Sequence, residues 1–402
     1  RSKRNFAPVG STYQLAQGEQ MKFSKKAKAL VVAGFIAVAS ATPAHAVDLQ
    51  GSGASFVDPL LQACKAGFAK ASSHSYVYTS TGSGTGKKNS DSKIGDFWFS
   101  DSSHSAASKR STVFHAPIVA APIAVLVNLP AKKDIYLSPT TVAKIFAGEI
   151  TKWNDPAIAA DNNRSVTTTV YKKDAQGNAV KDKSGNPVVL RSGTKGIIYT
   201  LPNQPIKVIF RADGSGTTNN FTKWLNGVAP SVWTKPANDA FTTAFPGNIN
   251  ASTNIGRIVG ANASQGVATL AAKTKYSITY AEKNWGDAYG LRAVSVSNAS
   301  GNFVFPESGA VSAFLGDAEQ DANGIVSYAY GTKLAGAYTL GIVSYMLLET
   351  EYKDKARGAA VKQLAEYILS PACAAVDPKL GYVVLSGDYL TKAKALIEKA
   401  NK

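Results

Sequence analysis

The segment RADGSGT, at residues 211–217, places an arginine, an aspartate and a turn of glycine and hydroxyl residues side by side. It joins an apolar, strand-like run at residues 206–210 to a stretch at residues 218–228 whose apolar residues recur at helical spacing. The amino terminus of a helix exposes unpaired N–H groups and the positive end of a dipole, which favours bound anions. The guanidinium of Arg211 would add a fork of donors for two oxygens of a tetrahedral anion, with Asp213 as its counter-ion. The segment therefore predicts half of an anion site, although a capped helix with a local ion pair would use the same residues.

Three further turns have the same design. Each combines small residues with a hydroxyl or carboxylate side chain at the end of a predicted strand or the start of a predicted helix. They are Gly53-Ala54-Ser55-Phe56, Gly82-Ser83-Gly84 and Ser100-Asp101. Glycine lets the backbone approach a bound group closely, and hydroxyl groups add hydrogen-bond donors. One such turn alone is usually an ordinary helix cap, but the four together favour a convergent site for an anion.

Motifs for nucleotides and metals are not satisfied. The run GSGTGK at residues 82–87 lacks the first glycine of a P-loop at the required distance, and Lys88 stands where Ser or Thr would coordinate magnesium. The spacing also fails a dinucleotide-binding fingerprint. His74, His104 and His115 lack close metal-ligand spacing, and we interpret them as surface or loop residues. We therefore predict no metal and no cofactor.

Apolar strands alternate with helices along the chain. Strands are predicted at residues 76–80, 96–100, 118–129, 206–210, 276–282 and 338–348, and helices from residues 58, 139, 218 and 359. The glycine-rich run at residues 81–86 is predicted as a loop. Residues 165–200 are predicted as a surface hairpin in which the near repeats DAQGNAV and DKSGNPV form turns, with too few acidic residues for a calcium site. This order indicates an α/β architecture with largely parallel sheets.

Composition and the leader sequence indicate an exported globular protein. The chain has 402 residues, of which 45% are hydrophobic, enough for a substantial core and for two domains or more. From Met21 it reads MKFSKKAKALVVAGFIAVASATPAHA, a secretory signal pattern whose apolar part is shorter than the roughly 20 residues of a membrane span. We expect cleavage after Ala46, and we set aside residues 1–20, which precede the only plausible initiator. The leader lacks a lipobox cysteine, which favours a soluble periplasmic or secreted form over a lipoprotein.

The net charge and the cysteine content further restrict the kinds of protein that this sequence can encode. The formal charge is +17, of which +11 remains once residues 1–46 are removed. A basic surface of this kind is usually only solvated. Alternatively, it attracts a bound anion or adheres to an acidic cell envelope. Basic residues do not cluster with stacking aromatics, so nucleic-acid binding is not predicted. Cys64 and Cys373 are the only cysteines; in an exported chain they can form a disulfide or remain buried thiols, and we favour the disulfide.

Motifs along the chain give a more specific interpretation. GSGASF, STGSGTG, DFWFSD, KIFAGEITKWNDPAI, IFRADGSGTTNNF, SQGVATL, SITYAE and IVSYMLLE occur in an order and spacing that resembles the PstS-type phosphate-binding proteins of bacterial high-affinity phosphate ABC importers. The resemblance covers almost all of residues 49–400. It implies an α/β, two-lobed class II periplasmic solute-binding fold whose chain crosses between the lobes near Asn128 and near Val343. The implied limits are 47–127 with 344–402 for lobe one and 128–343 for lobe two, with 165–200 as a hairpin elaboration.

The resemblance also implies a phosphate site and a function. The implied ligands are Ser55, Phe56, Ser83 and Asp101 from lobe one, and Arg211, Ser215, Gly216 and Thr217 from lobe two. Asp101 would be the acceptor, Asp213 would pair with Arg211, and the others would donate. The implied function is extracytoplasmic capture of inorganic phosphate by lobe closure and its delivery, by a monomer, to the permease of an ABC importer. The sequence differs from the family pattern at Trp98-Phe99 and in the long hairpin. These differences affect the expected shape of the cleft opening more than the identity of the bound anion.

Two other functions would use the same features. A phosphate-ester hydrolase would bind the same anion as a substrate, but it would require a metal site or an activated nucleophile. A basic surface or matrix protein would depend on the +11 charge and not on Arg211. We favour the phosphate carrier, and the chain is not predicted to be an enzyme.

Overall fold

The computed structural model describes residues 46–130, 132–175, 179–196 and 198–402. The predicted signal peptide, except for its last residue, lies outside the described residues, as does part of the DAQGNAV turn. Within the described ranges, no helix is both long enough and apolar enough to cross a membrane.

The predicted strands are present, with ends shifted by up to a few residues. In chain order the strands are β1 (Asp48–Gly53), β2 (Ser75–Ser80), β3 (Phe97–Ser100), β4 (Val113–Val127), β5 (Tyr136–Leu137), β6 (Ser165–Tyr171), β7 (Val189–Gly196), β8 (Lys207–Arg211), β9 (Ile258–Ala261), β10 (Ser277–Glu282), β11 (Arg292–Ala293), β12 (Ser295–Ser297), β13 (Phe303–Val304), β14 (Glu319–Gln320), β15 (Val326–Ser327), β16 (Gly341–Glu349) and β17 (Val383–Val384). The long runs β4, β10 and β16 are almost wholly buried, which explains their nearly continuous apolar sequences.

The helices include those predicted and several more. They are α1 (Asp58–Ser72), α2 (Ser83–Asp91), α3 (Pro139–Phe146), α4 (Pro156–Asn162), α5 (Gly216–Val228), α6 (Phe241–Ala244), α7 (Ala263–Lys273), α8 (Lys283–Tyr289), α9 (Ser308–Leu315), α10 (Lys355–Leu369), α11 (Pro371–Ala374) and α12 (Gly387–Ile397), with a 3-10 turn at Pro378–Leu380. The loop predicted at residues 81–86 is wrong in part, because α2 begins at Ser83. A Cβ on Gly86 would lie 2.7 Å from the Gly53 Cα, so glycine there allows the helix to pack closely on the sheet.

The main sheet is mixed, and its order is β2-β1-β3-β16-β4-β10-β8-β9, with β11 and β17 also pairing with β4. The flanking pairs β1/β2, β1/β3, β8/β10 and β8/β9 are parallel, as predicted. At the centre the prediction of parallel strands is wrong. There β16 runs antiparallel to both β3 and β4, and β10 runs antiparallel to β4, because the chain crosses the molecule in β4 and returns in β16.

Strand β4 belongs to two groups of strands in succession. Its residues from Val113 to Pro122 pair with β16, whereas those from Ile123 to Val127 pair with β10. Strand β17 also pairs with the first part of β4, and strand β11 also pairs with the second part. The change of partners at Pro122/Ile123 precedes the crossing expected near Asn128, and the lobe limits stay predictions.

Helix α1 packs as its sequence pattern predicts. Leu60, Leu61, Cys64 and Phe68 are its buried residues, and they lie on one face. Cys64 is joined to Cys373 of α11 by a disulfide, with the two Cα atoms 5.1 Å apart. This bond links the first described helix to the carboxyl-terminal part of the chain, across a sequence separation of 309 residues.

The predicted hairpin is formed by β6 and β7, which pair antiparallel from Ser165/Gly196 to Tyr171/Val189. Isolated bridges at Lys173/Ala179 and Lys181/Pro187 continue the pairing toward the two repeats. In the second repeat, Asp182 Oδ1 accepts the backbone N–H groups of Ser184 and Asn186 at 2.8 and 2.9 Å, which makes it an ordinary Asx turn.

Candidate anion-binding site

Arg211 is the last residue of β8, and its side chain is only 1% exposed. Its Nε donates to Asp213 Oδ1 at 2.7 Å and its Nη2 donates to Asp213 Oδ2 at 2.5 Å, a bidentate pair. Burial alone would raise the pKa of Asp213, but the hydrogen bonds and charge of Arg211 outweigh it and lower the pKa. Asp213 also accepts the backbone N–H of Ala263 at 3.0 Å. The guanidinium is therefore fixed, and its Nη1 edge faces Ser264 Oγ at 3.2 Å.

The turn after Arg211 leads into the amino terminus of α5. Ser215 is the N-cap, and its hydroxyl accepts the N–H of Thr218 at 3.1 Å. Gly216 and Thr217, the first two residues of the helix, are buried. A Cβ on Gly216 would lie 2.5 Å from Ser83 Oγ and 2.8 Å from the Asp101 nitrogen, so only glycine allows this approach. We refer to residues 211–217 as the second half-site.

The turns that contain Ser55, Ser83 and Asp101 form the first half-site. Ser83 is the first residue of α2, and its Oγ accepts the N–H of Asp101 at 3.2 Å. Ser55 follows β1, and its Oγ accepts the N–H of Ser264 at 3.1 Å. Phe56 packs its ring edge-on against Tyr382, with the ring centroids 6.0 Å apart, so its side chain lies in the core.

Asp101 follows β3 and is 2% exposed. Its Oδ1 accepts the Ser344 hydroxyl at 2.7 Å, and its Oδ2 accepts the Thr217 hydroxyl at 3.4 Å and the Ser83 hydroxyl at 3.5 Å. Burial raises the pKa of Asp101 to about 7; the negative charge of Glu282 adds to this, whereas Ser344 and Arg211 act in the opposite direction. This carboxyl group can therefore accept or hold a proton near neutral pH.

The two half-sites, predicted from separate parts of the sequence, thus contact each other directly. The Asn220 side chain donates to the Asp101 carbonyl at 2.6 Å, and the Gly84 N–H donates to the Gly214 carbonyl at 2.8 Å. The amino termini of α2, α5 and α7 meet beside one buried guanidinium. Such an arrangement provides backbone and hydroxyl donors, a single fixed positive group and one acidic acceptor, which is the chemistry of a partly protonated tetrahedral anion.

Comparison with protein families identifies the superfamily of the chain. A family model described as a PBP superfamily domain matches residues 39–372. The chain belongs to the PBP superfamily.

Relatives of this PBP-superfamily chain include proteins named for phosphate binding. The phosphate-binding protein PstS 3 of Mycobacterium tuberculosis (strain ATCC 25618 / H37Rv) is 27% identical over 333 residues, which cover 80% of this chain and 77% of the relative. The phosphate-binding protein PstS of Xylella fastidiosa (strain Temecula1 / ATCC 700964) is 27% identical over 330 residues, with the same two shares. The resemblance to PstS-type proteins inferred from the motifs is confirmed.

Solved structures support the fold assignment. The high-affinity periplasmic phosphate-binding protein PfluDING matches with a TM-score of 0.63 and 21% identity, over 87% of this chain and 93% of that one. A phosphate-binding protein from Stenotrophomonas maltophilia matches with a TM-score of 0.62 and 18% identity over the same shares. The predicted fold class, an α/β two-lobed solute-binding protein, is therefore confirmed.

Sequence reasoning missed three buried residues that contact the site of this PBP-superfamily protein: Ser264, Glu282 and Ser344. Each lies in a motif that carried the resemblance, namely SQGVATL, SITYAE and IVSYMLLE, but none was given a role. For Glu282 and Ser344 the available signal was a polar residue at the end of an apolar run or inside one. Glu282, for example, is the last residue of β10, and every residue of that strand is buried.

The interpretation of three histidines as surface or loop residues is correct in part, because His74 and His104 lie in loops, but none of the three is at the surface and His115 lies in a strand. His74, His104 and His115 are all buried, and His115 lies on β4. His115 Nε2 accepts the His104 N–H at 2.8 Å, and His104 Nε2 lies 2.9 Å from Asp91 Oδ1, so these rings join neighbouring segments. Within the described part of the chain, no group of three or more His, Cys, Asp or Glu side chains is placed to hold a metal ion.

Proposed function

We propose that this protein captures inorganic phosphate outside the cytoplasm and delivers it to the permease subunits of an ABC importer. The observation that carries the proposal is the buried Arg211, fixed by Asp213, beside three helix amino termini and the buried acceptor Asp101. The proposed phosphate ligands are Ser55, Phe56, Ser83, Asp101, Arg211, Ser215, Gly216 and Thr217. No covalent step is needed for this function, and no cofactor enters it.

Asp101 favours phosphate over sulfate. Near neutral pH phosphate keeps at least one proton, which it can donate to a carboxylate in a charge-assisted hydrogen bond. Sulfate has no proton to donate, so its oxygen would face the oxygen lone pairs of Asp101. The Ser344 hydroxyl, which donates to Oδ1 at 2.7 Å, holds the carboxylate so that Oδ2 is directed toward Thr217 and Ser83.

Capture requires that the site open and close. We propose that lobe one comprises residues 47–127 and 344–402, that lobe two comprises residues 128–343, and that they move about the crossing strands β4 and β16. The change of partners at Pro122/Ile123 supports a hinge in this part of β4. Closure would form the hydrogen bonds between the half-sites and remove the anion from water.

Export and docking follow from the same proposal. We propose an extracytoplasmic protein, periplasmic or secreted, that acts as a monomer; the leader pattern supports export, and the solved neighbour PfluDING is a periplasmic protein. A solved structure from Clostridium perfringens, with a TM-score of 0.51 and 16% identity to this chain, is named as a phosphate ABC transporter substrate-binding protein with bound phosphate. The closed pair of lobes would present one continuous surface to the permease.

Calorimetric titration of the chain that begins at Val47 tests the proposal. We expect one phosphate per chain, competition by arsenate, which also carries a proton, and little or no binding of sulfate. Absence of phosphate binding would overturn the function. An assay of phosphate-ester turnover with and without divalent metal should show none, since hydrolysis is the alternative that the same ligands would permit.

A further inference from the structure

Glu282 is a second buried carboxyl group beside the anion site, and the proposed function gives it no role. It is 1% exposed and ends the strand β10. Its Oε1 accepts the Ser264 hydroxyl at 3.2 Å and lies 3.5 Å from the Thr217 hydroxyl. Its Oε2 is buried and has no hydrogen-bond partner among the described residues.

The contacts of Ser264 and Thr217 connect Glu282 to both half-sites. Ser264 Oγ accepts from Arg211 Nη1 at 3.2 Å and lies 3.0 Å from Ser55 Oγ. The Thr217 hydroxyl lies between two carboxylates, 3.4 Å from Asp101 Oδ2 and 3.5 Å from Glu282 Oε1. One hydroxyl hydrogen cannot serve both oxygens at once, so one carboxyl group is left short of a donor.

The charge balance of the closed site is unfavourable if every acid is ionised. Asp213 already neutralises Arg211, so Asp101 and Glu282 would add two negative charges next to a phosphate dianion. The other titratable group that interacts with Glu282 does not offset this charge, since it is Tyr382, a neutral phenol in the segment before β17. Buried like charges at such proximity force one of the pair to remain protonated.

We propose that Glu282 is protonated in the closed, phosphate-bound state, so that each phosphate captured brings in one proton from the solvent. The inference rests on the proposed function, in which Asp101 stays ionised to accept the proton of phosphate. The neutral Glu282 carboxyl then donates its O–H to the hydroxyl oxygen of Ser264 or Thr217, or to a phosphate oxygen. When the lobes open, water reaches Glu282 and the proton returns to solvent.

Burial disfavours the ionised form of both acids, and the contacts distinguish them, because Asp101 accepts from three hydroxyl groups whereas Glu282 Oε2 has no partner among the described residues. At Glu282 the effect of burial is the larger one. It raises the pKa of Glu282 above the ordinary value, although the charge of Arg211 and the hydrogen bond from Ser264 act the other way. Opening the lobes would remove much of that burial. The group would then ionise, which couples its protonation to phosphate binding.

The number of protons taken up on binding tests the proposal. Phosphate is titrated calorimetrically at about pH 8, above the second pKa of a phosphate group, in buffers of different ionisation enthalpy. The slope of binding enthalpy against buffer ionisation enthalpy gives the proton count. Wild type should take up close to one proton per phosphate. Glu282→Gln, which keeps the shape of a neutral carboxyl, should take up almost none and keep its phosphate affinity within about tenfold.

The control is Glu351→Gln, an exposed glutamate outside the site, which should behave as wild type. Equal proton uptake by wild type and Glu282→Gln would overturn the role of Glu282, as would no uptake by wild type. If wild type gave no heat with phosphate and did not retain it in dialysis, the proposed function would fail first, so the two failures are distinguishable.

A measurement on wild type alone covers the case in which the variant does not fold. In protein labelled with carbon-13 at the glutamate δ-carbon, phosphate-bound wild type should keep one resonance at the protonated position at about pH 7, well above the ordinary glutamate pKa of about 4.3. If the δ-carbon chemical shift of every glutamate in the phosphate-bound protein were that of an ionised carboxylate, the proposal would be contradicted.

Discussion

Lys87 of α2 and Asp239 form an ion pair beside the two half-sites, with Lys87 Nζ 2.7 Å from Asp239 Oδ2. Ser102 completes the contact, since its Oγ donates to Asp239 Oδ1 at 2.9 Å and accepts from Lys87 Nζ at 2.9 Å. Asp239 also accepts the Ser215 N–H through its carbonyl at 2.9 Å, next to the N-cap of α5. The pair lies at the rim of the proposed cleft, where it would exist only in the closed form.

We predict that Lys87→Met releases phosphate faster than wild type. The two side chains are 15% and 19% exposed, so solvent screens the pair and its contribution should be about 0.2 to 1 kcal/mol. Release should therefore accelerate by no more than about fivefold, and added salt should accelerate release from wild type more than from the variant. Stopped-flow displacement of labelled phosphate measures both. Lys88→Met, an exposed neighbour, is the matched control, and identical release rates for all three proteins would rule out this role for the pair.

Arg211→Ala should nearly abolish phosphate binding. The substitution removes the fixed, buried positive group and leaves the partly buried Asp213 without its partner, which typically costs about 2 to 5 kcal/mol at a hydrogen-bonded charge pair. Calorimetry with phosphate measures the loss, and Arg191→Ala, at an exposed position in the hairpin, is the control. A change near zero would show that the anion does not bind at Arg211 and would favour a protein that depends only on its overall charge.

Asp101→Asn should reduce the preference of the site for phosphate over sulfate. An asparagine amide can direct an N–H toward sulfate, whereas the carboxylate can only accept, so phosphate affinity should fall and sulfate affinity should rise. Sites that demand a hydrogen bond reject analogues lacking it by on the order of 10⁴-fold, and the variant should lose most of such discrimination. Competition of each anion against labelled phosphate provides the ratio. If the phosphate-to-sulfate ratio did not change, Asp101 would lie outside the site.

Non-reducing peptide mapping of protein exported to an oxidising compartment should find Cys64 linked to Cys373. The bond closes a very long loop and constrains the unfolded chain, so its removal in a Cys64→Ala/Cys373→Ala variant should lower the free energy of unfolding by about 2 to 5 kcal/mol. Urea denaturation of both proteins measures the difference. Recovery of two free thiols from such material would contradict the pairing.

The local elements of the site could be read from the sequence because each is encoded within a few residues. The N-cap at Ser215 and the bidentate pair of Arg211 with Asp213 need only neighbours in the chain, and both are present. The apolar face of α1 is also a local pattern, and it correctly placed Cys64 inside.

What the sequence could not provide depends on contacts between distant segments. Ser344 reaches Asp101 only because β16 returns antiparallel beside β3, and a polar residue in an apolar strand gives no indication of its partner. The helical start at Ser83 was mistaken for a loop because glycine lowers helix propensity, although here it permits close packing. Glu282 was missed because a buried carboxylate has meaning only once Ser264 and Thr217 are seen beside it.

A crystal structure of the chain that begins at Val47, grown with arsenate so that anomalous scattering marks the anion, tests the central claim most directly. We predict one tetrahedral anion between Arg211 and Asp101, within hydrogen-bond distance of the Ser55 and Ser83 hydroxyls and the amino terminus of α5. An anion bound elsewhere on the chain, with Arg211 contacting only Asp213 and Ser264, would contradict the account.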